Sequence, residues 1–348
     1  MPWGDLVVYA QAAEQLGVES IWAPEGWAFD GATPLAFLAG KTSTIKLGTG
    51  ILQIGARTPA NLAMTALSLQ SISGGRFMLG IGTSGPRVIE GLHGTVFDYP
   101  VRRTRETIEI LRKAFRGERL VYEGKHFQLP LREGEGKAMR LSAPPAEVPI
   151  YIAALGPANL RLTGELAEGW RGTHVMPEQA EVSMKPLAEG AAKSGRTLGD
   201  IDLQGGGTVW FTEEPDSAIE ELSLGLAFTL GGMGTKQNNF YNHAYSRAGF
   251  ADEAKEIQRL WLDGKHDEAR SLVPRELAAR IHLVGTDDMI KDRIRAYRDA
   301  GFNSLNVAVR QEKIPPAQLG LNDRIHLLSR VMDLVTQVNA EPRNGISS

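Results

Sequence analysis

Cysteine is absent from the 348-residue chain. That excludes disulfide bonds and thiolate metal sites, and it fits a reducing compartment. A surplus of one charge is lacking too: 38 Lys and Arg stand against 41 Asp and Glu, a net of -3. There is no basic field for nucleic acid and no block of like charges. No apolar run reaches membrane-spanning length, and the first residues carry no signal-peptide pattern. A cytoplasmic protein with neither a nucleic-acid nor a membrane partner is the expectation. The seven histidines include no HExxH and no close pair, so no metal centre is expected.

Nucleotide and nucleophile motifs are lacking as well. Gly40-Lys41-Thr42 resembles the end of a P-loop, but Leu35 stands where that motif needs glycine, and the tripeptide ends a helix instead of following a strand. Gly80-Ile81-Gly82 has no third glycine and no downstream acid of a dinucleotide fingerprint. Gly82 to Gly85 is no nucleophile elbow, because Pro86 occupies the last glycine position.

What is present is a strand, helix and strand over residues 45–86. Residues 45–52 are short, β-rich and punctuated by glycine. Thr58-Pro59 supplies a helix cap and a proline at the first helical position. Leu62, Met64 to Leu67 and Leu69 give that helix an apolar face, and Gly74-Gly75 ends it. Residues 77–82 are a second buried strand. Two apolar strands joined by a helix make a right-handed parallel βαβ unit, and parallel α/β folds place ligands at the C-terminal ends of their strands.

The same rhythm runs along the chain. A helix over 5–17 precedes a strand over 18–23, the turn Pro24 to Trp27 and a short helix from Thr33. After the βαβ unit come a helix over 101–115, strands over 150–154 and 170–175, a longer strand over 201–211 interrupted by Gly205-Gly206-Gly207, and a last strand over 304–309. Helices are read at 157–169, 177–194, 215–230, 287–300 and 323–338, with a frayed stretch over the last ten residues. Residues 117–148 interrupt with Gly, Pro, charge and a hairpin near 121–127; residues 231–285 are helical and irregular, with no obvious strand. Seven strand–helix units with a helix in front of the first strand point to a (β/α)8 TIM barrel whose first strand is missing or truncated at the N-terminus. A seven-stranded open sheet is the alternative. One domain over 1–348, with excursions at about 117–148 and 231–285, is the expectation.

Glycine-rich turns follow successive strands at Gly50, at Gly82 to Gly85, and at Ala153-Ala154-Leu155-Gly156-Pro157. Small residues let the backbone approach a flat or phosphorylated ligand. The last turn opens a helix whose free N–H groups and positive dipole end suit a phosphate.

Residues 47–59 (LGTGILQIGARTP), 73–86 (SGGRFMLGIGTSGP), 148–170 (VPIYIAALGPANLRLTGELAEGW) and 284–302 (VGTDDMIKDRIRAYRDAGF) together resemble the luciferase-like monooxygenase superfamily. The similarity extends from Asp5 to about Val309. It is nearest the branch that uses the deazaflavin coenzyme F420, which includes methylenetetrahydromethanopterin reductase. The resemblance implies the bacterial luciferase-like barrel with excursions, a homodimer, and a hydride moved between C5 of F420 and a small organic substrate. It also implies a non-prolyl cis peptide at Gly50-Ile51 that supports the deazaflavin ring, with Gln53 near its polar edge. Gly82, Thr83 and Ser84 would lie along the cofactor; Ala153, Ala154, Leu155 and Gly156 would hold its phosphate; His174 and Val175 would flank it.

The sugar-phosphate branch carries an Asp-His pair after its second strand, where this chain has Glu25-Gly26, and an acid after the Gly-Thr turn, where it has Gly85. Glucose-6-phosphate chemistry is therefore not expected. Glu25 is the ionisable residue left in that turn and the candidate to orient the cofactor or relay a proton. Trp27, His93 and Tyr241 are candidate substrate-pocket residues, with Trp22, Phe29, Phe97, Tyr99 and His243 as further pocket walls. Asn238-Asn239-Phe240-Tyr241 reads as part of a substrate lid. Two other readings fit the same residues: an FMN-dependent monooxygenase on this barrel, and a barrel without catalysis that serves as a binding protein.

Overall fold

The computed structural model describes residues 1–311 and 318–342. Its contacts divide the chain into two compact units. The first comprises Glu19–Arg171 and Leu187–Ile201; the second comprises Met1–Val18, Gly172–Pro186 and Asp202–Ser348.

The first unit holds strands β1 (Ser20–Ala23), β2 (Lys46–Thr49), β3 (Leu52–Gln53), β4 (Phe77–Gly82), β5 (Tyr122–Glu123), β6 (Gln128–Leu129), β7 (Ile150–Ala153) and β8 (Gly169–Arg171). Strands β1, β2, β4, β7 and β8 follow one another in a parallel sheet, and β5 and β6 form the antiparallel hairpin of the first excursion. All six residues of β4 are buried, as a parallel sheet covered on both faces requires. The single strand read over 45–52 is in fact two. β4 pairs first with β2, Leu47 opposite Phe77, and then with β3, Leu52 opposite Ile81. Between them the Gly50–Ile51 peptide is cis.

Proline opens each of the helices Thr33–Ala39, Pro59–Ile72, Pro86–Gly91, Pro100–Phe115 and Pro157–Leu166 within its first two positions. The Thr58 hydroxyl accepts from Asn61 N at 3.2 Å, the cap its sequence called for. At the opposite ends of the strands, Arg76 clamps the unit. Its guanidinium donates to the carbonyls of Ala39, Thr42, Ile45 and Ser73 and to Thr42 Oγ1. Helix Pro157–Leu166 packs closely on the helix that carries Leu187 and Gly190. A Cβ on Gly164 would stand 2.0 Å from Leu187 O, and one on Gly190 would stand 1.9 Å from Arg161 O.

The second unit holds β9 (Asp202–Gly205), β10 (Thr208–Phe211), β11 (Leu283–Gly285), β12 (Ser304–Leu305) and β13 (Ala308–Gln311). β9 pairs with β12, while β10 lies between β11 and β13, all parallel. The stretch read over 201–211 as a strand interrupted by glycines breaks at Gly206-Gly207, the one read over 304–309 breaks in its middle, and the halves of each join different sheets. The breaks meet: Gly206 has φ +123, and a Cβ there would stand 2.4 Å from Asn306 O. β11 corrects the reading of 231–285 as strandless. It is three residues long and starts one residue after helix Arg275–Ile281, so its apolar run merges with the helix in sequence.

Helices Pro215–Gly231, Phe240–Arg247, Ala251–Leu262, His266–Ser271 and Arg275–Ile281 surround a core of Leu226, Leu230, Tyr245, Ile257 and Leu277. Helix Trp3–Gln15 packs on the last helix, Leu321–Ala340. That last helix occupies the start of the stretch read as frayed; 343–348 lie outside the described residues. Among the described residues, no helix is long and apolar enough to cross a membrane.

Candidate active site

The C-terminal ends of β2, β4 and β7 are built from small residues whose backbone is locked by neighbouring groups. The Thr49 hydroxyl is fully buried and bonds both the carbonyl and the N–H of Gly80, each at 2.9 Å. A Cβ on Gly80 would stand 1.8 Å from Thr49 O, and one on Gly82 would stand 2.9 Å from the Ile51 side chain. A larger residue at Gly80 would have to displace the Thr49 carbonyl, and one at Gly82 would have to move the Ile51 side chain. Thr83, Ser84 and Gly85 follow, half-buried, with Ser84 at φ 55. A non-glycine residue in that conformation persists where the surroundings over-determine it. After β7, Trp170 Nε1 donates to Ala154 O at 3.0 Å and fixes the turn. Gly156 caps helix Pro157–Leu166, and nothing stands within 4 Å of the place its Cβ would take.

The turn after β1 is tied to this arrangement by Glu25. Its carboxylate pairs with Arg57 at 2.6 Å and accepts from Gly31 N and Gln53 N, each at 3.3 Å. The Glu25 carbonyl accepts from Gln53 Nε2 at 3.1 Å. Gln53 is 3% exposed, and its Oε1 has no hydrogen-bond partner within the chain. The Glu25 carboxylate is thus engaged on both oxygens and joins the turn to β3.

Inside the sheet lies a stack that the sequence did not disclose. Gly48 and Gly169 leave space for rings: a Cβ on either would collide with Trp22 or with Tyr151. Trp22 and Tyr151 meet edge to face at 5.0 Å. The Arg171 guanidinium lies 4.0 Å over the Trp22 ring and is 8% exposed as a residue. Trp22 is half-buried in its own unit, with Arg171 on one face of its ring and Tyr151 at its edge.

In the second unit, His174 begins the loop after Gly172 with φ 55. Its ring meets Tyr241 at 5.6 Å and Tyr245 at 6.4 Å, both edge-on. His174 Nδ1 is sealed without a partner, and burial pushes the imidazole down to about 4. His174 is therefore neutral at pH 7. Val175 is buried, and its carbonyl accepts from Tyr297 Oη at 2.9 Å. His282 Nδ1 accepts from Thr208 N at 3.0 Å. Burial, then the neighbouring His174 and Arg310, push that imidazole to about 3. The stretch read as a lid has a supporting part: Asn239 caps helix Phe240–Arg247, and Asn239 and Asn242 both donate to Leu230 O.

Among the other candidate pocket residues, Trp27 is 64% and Phe29 70% exposed, and His93 and Tyr99 are exposed on loops of the first unit. Tyr241 lies in the second unit against His174. Arg57 and Arg171 were missed by sequence reasoning. Arg171 had a signal, a cation directly following the buried run of β8; Arg57 had none, because its partner is 32 residues away. A cleft of about 570 Å³ lined by Arg112, Phe115, Pro145, Val148 and Glu168 lies where β7 and β8 start, the end at which parallel α/β folds do not place their chemistry.

The sequence model of the luciferase-like monooxygenase family matches residues 1–304. The chain belongs to that family. It is 36% identical over 305 residues, 85% of this chain and 88% of the other, to a Mycobacterium tuberculosis protein provisionally named a coenzyme F420-dependent oxidoreductase. It is 28% identical over 319 residues, 87% of this chain and 86% of the other, to an F420-dependent glucose-6-phosphate dehydrogenase of Kineococcus radiotolerans. Among solved structures, the coenzyme F420-dependent tetrahydromethanopterin reductase of Methanopyrus kandleri superposes with a TM-score of 0.75 at 25% identity. The match covers 97% of this chain and 96% of that one. The fold class is accordingly α/β, of the luciferase-like barrel type.

Proposed function

We propose that this family member is a coenzyme F420-dependent oxidoreductase that moves a hydride between the deazaflavin and a small organic substrate. The observation that carries the reading is the pair of strand ends at Gly82–Gly85 and Ala153–Gly156. A Cβ on Gly82 would meet the Ile51 side chain, and one on Gly156 would take up open space. The names of the relatives support the choice of cofactor.

On this reading Ile51, Gly82, Thr83 and Ser84 present their backbone to the ring. The orphaned Gln53 Oε1 is an acceptor fixed in direction, because its Nε2 is held by Glu25 O. The end of helix Pro157–Leu166 at Gly156 takes the phosphate through the positive end of the helix. When bound, the deazaflavin supplies a carbon that accepts or donates hydride. Glu25 positions the turn and Gln53; its pairing with Arg57 leaves no free carboxylate for proton transfer there. The protein contributes orientation and exclusion of water. In its own unit, His174 offers a ligand hydrogen bonds instead of charge.

The test uses F420 reduced with deuterium at C5, mixed with the protein and a panel of ketones, enones and imines. The reading predicts cofactor oxidation with deuterium recovered on the substrate carbon. Oxidation with the label lost to water would overturn hydride transfer.

A further inference from the structure

The cation that the site description leaves unused is Arg171. It ends β8 inside the first unit and is 8% exposed. Burying a guanidinium is costly unless its surroundings compensate, and the chain builds a seat for this one. Gly48 and Gly169 give up their side chains so that Trp22 and Tyr151 fit. Trp22 is held by its Nε1, which donates to Ser20 Oγ at 2.9 Å, and presents its face to the guanidinium at 4.0 Å. The seat also places the charge: Arg171 Nη2 lies 3.2 Å from the point a Gly50 Cβ would occupy, so the cation stands beside Gly50, the first residue of the cis link. Gly50 is pinned there, its N–H donating to Ala23 O at 2.7 Å.

We propose that Arg171 is a positioning residue for charge, a fixed cation beside the Gly50–Ile51 link that favours the reduced deazaflavin over the oxidised one. The inference rests on the cofactor reading above. A hydride from the substrate carbon, two electrons and one hydrogen, forms a C–H bond at C5 and breaks the substrate's C–H bond. Its negative charge then resides on the N1 and C2-carbonyl end of the ring unless a proton follows. A cation held in a low-dielectric interior stabilises that charge and needs no reorganisation when it appears. The competing role is packing, in which Arg171 merely covers Trp22.

The experiment measures dissociation constants for oxidised and reduced F420 anaerobically by tryptophan quenching, at pH 8, on the full chain and on Arg171→Met and Arg171→Lys. Arg171→Met is expected to weaken the reduced form about tenfold more than the oxidised form, and Arg171→Lys is expected to keep the wild-type ratio. An unchanged ratio in Arg171→Met overturns the proposal even if its melting temperature falls. Should that variant not fold, the unaltered protein decides. The bound reduced cofactor must lose its N1 proton at lower pH than the free cofactor, and an equal or higher value overturns the proposal. Binding of neither form by the unaltered protein is a different result, and it refutes the cofactor reading itself.

Discussion

Removing the Arg57 guanidinium tests whether Glu25 is a built strut or a solvated turn carboxylate. The Glu25 side chain is 11% exposed and that of Arg57 21%. Exposed ion pairs contribute about 0–1 kcal/mol, and breaking a fully buried one costs about 3–5 kcal/mol. At this exposure, with backbone donors from Gly31 and Gln53 still on the carboxylate at 3.3 Å, a loss of about 2 kcal/mol follows for Arg57→Met. That corresponds to a fall of about 3 °C in melting temperature. The assay is a double-mutant cycle in urea with Glu25→Ala, Arg57→Ala and the pair, which isolates the coupling from the loss of the acceptor for the Gly31 and Gln53 N–H groups. The coupling should be about 2 kcal/mol, and Arg57→Met should also bind F420 more weakly, because Gln53 and the turn lose their anchor. A coupling under about 0.5 kcal/mol would refute the strut.

Two glycine-to-alanine changes should have opposite signs in the same unfolding assay. Gly164→Ala puts a Cβ 2.0 Å from Leu187 O and should cost about 3 kcal/mol or more, since a backbone oxygen must move. Gly225→Ala, inside helix Pro215–Gly231 with nothing within 4 Å, should gain about 0.5–1 kcal/mol from helix propensity. Lowering the pH should destabilise the second unit in a window set by its histidines. His174 and His282 are held near 4 and 3, so the unfolded chain takes up protons first, from about pH 6.5 downward. Urea midpoints should therefore fall between about pH 6.5 and 4, and His282→Gln should flatten that slope. Arg76→Lys should lower stability by about 3 kcal/mol, because one ammonium cannot reach the Ala39, Thr42, Ile45 and Ser73 carbonyls together.

The local grammar was legible and the long-range pairing was not. Thr58-Pro59 and Gly74-Gly75 mark the ends of helix Pro59–Ile72 because caps and stops act within a turn of their own residue. The break at Gly50 is invisible to hydrophobic pattern, since residues on both sides are apolar, and only the family resemblance pointed to it. Gly205-Gly206-Gly207 announced an interruption, but nothing in that stretch says that its two halves join β12 and β13. β11 was hidden by brevity beside a helix. At the site, the glycine turns were readable from the residues alone, while the use of Glu25 was not. A carboxylate in a turn looks solvated until Arg57 is folded against it.

The most direct test of the account is competitive equilibrium titration of the protein with F420 and FMN under identical conditions. The cofactor reading, which rests on the F420-dependent relatives, predicts saturable binding of F420, at least about tenfold tighter than FMN, and weakened by Gly82→Ala. Equal or tighter binding of FMN, or F420 binding indifferent to Gly82→Ala, would contradict it.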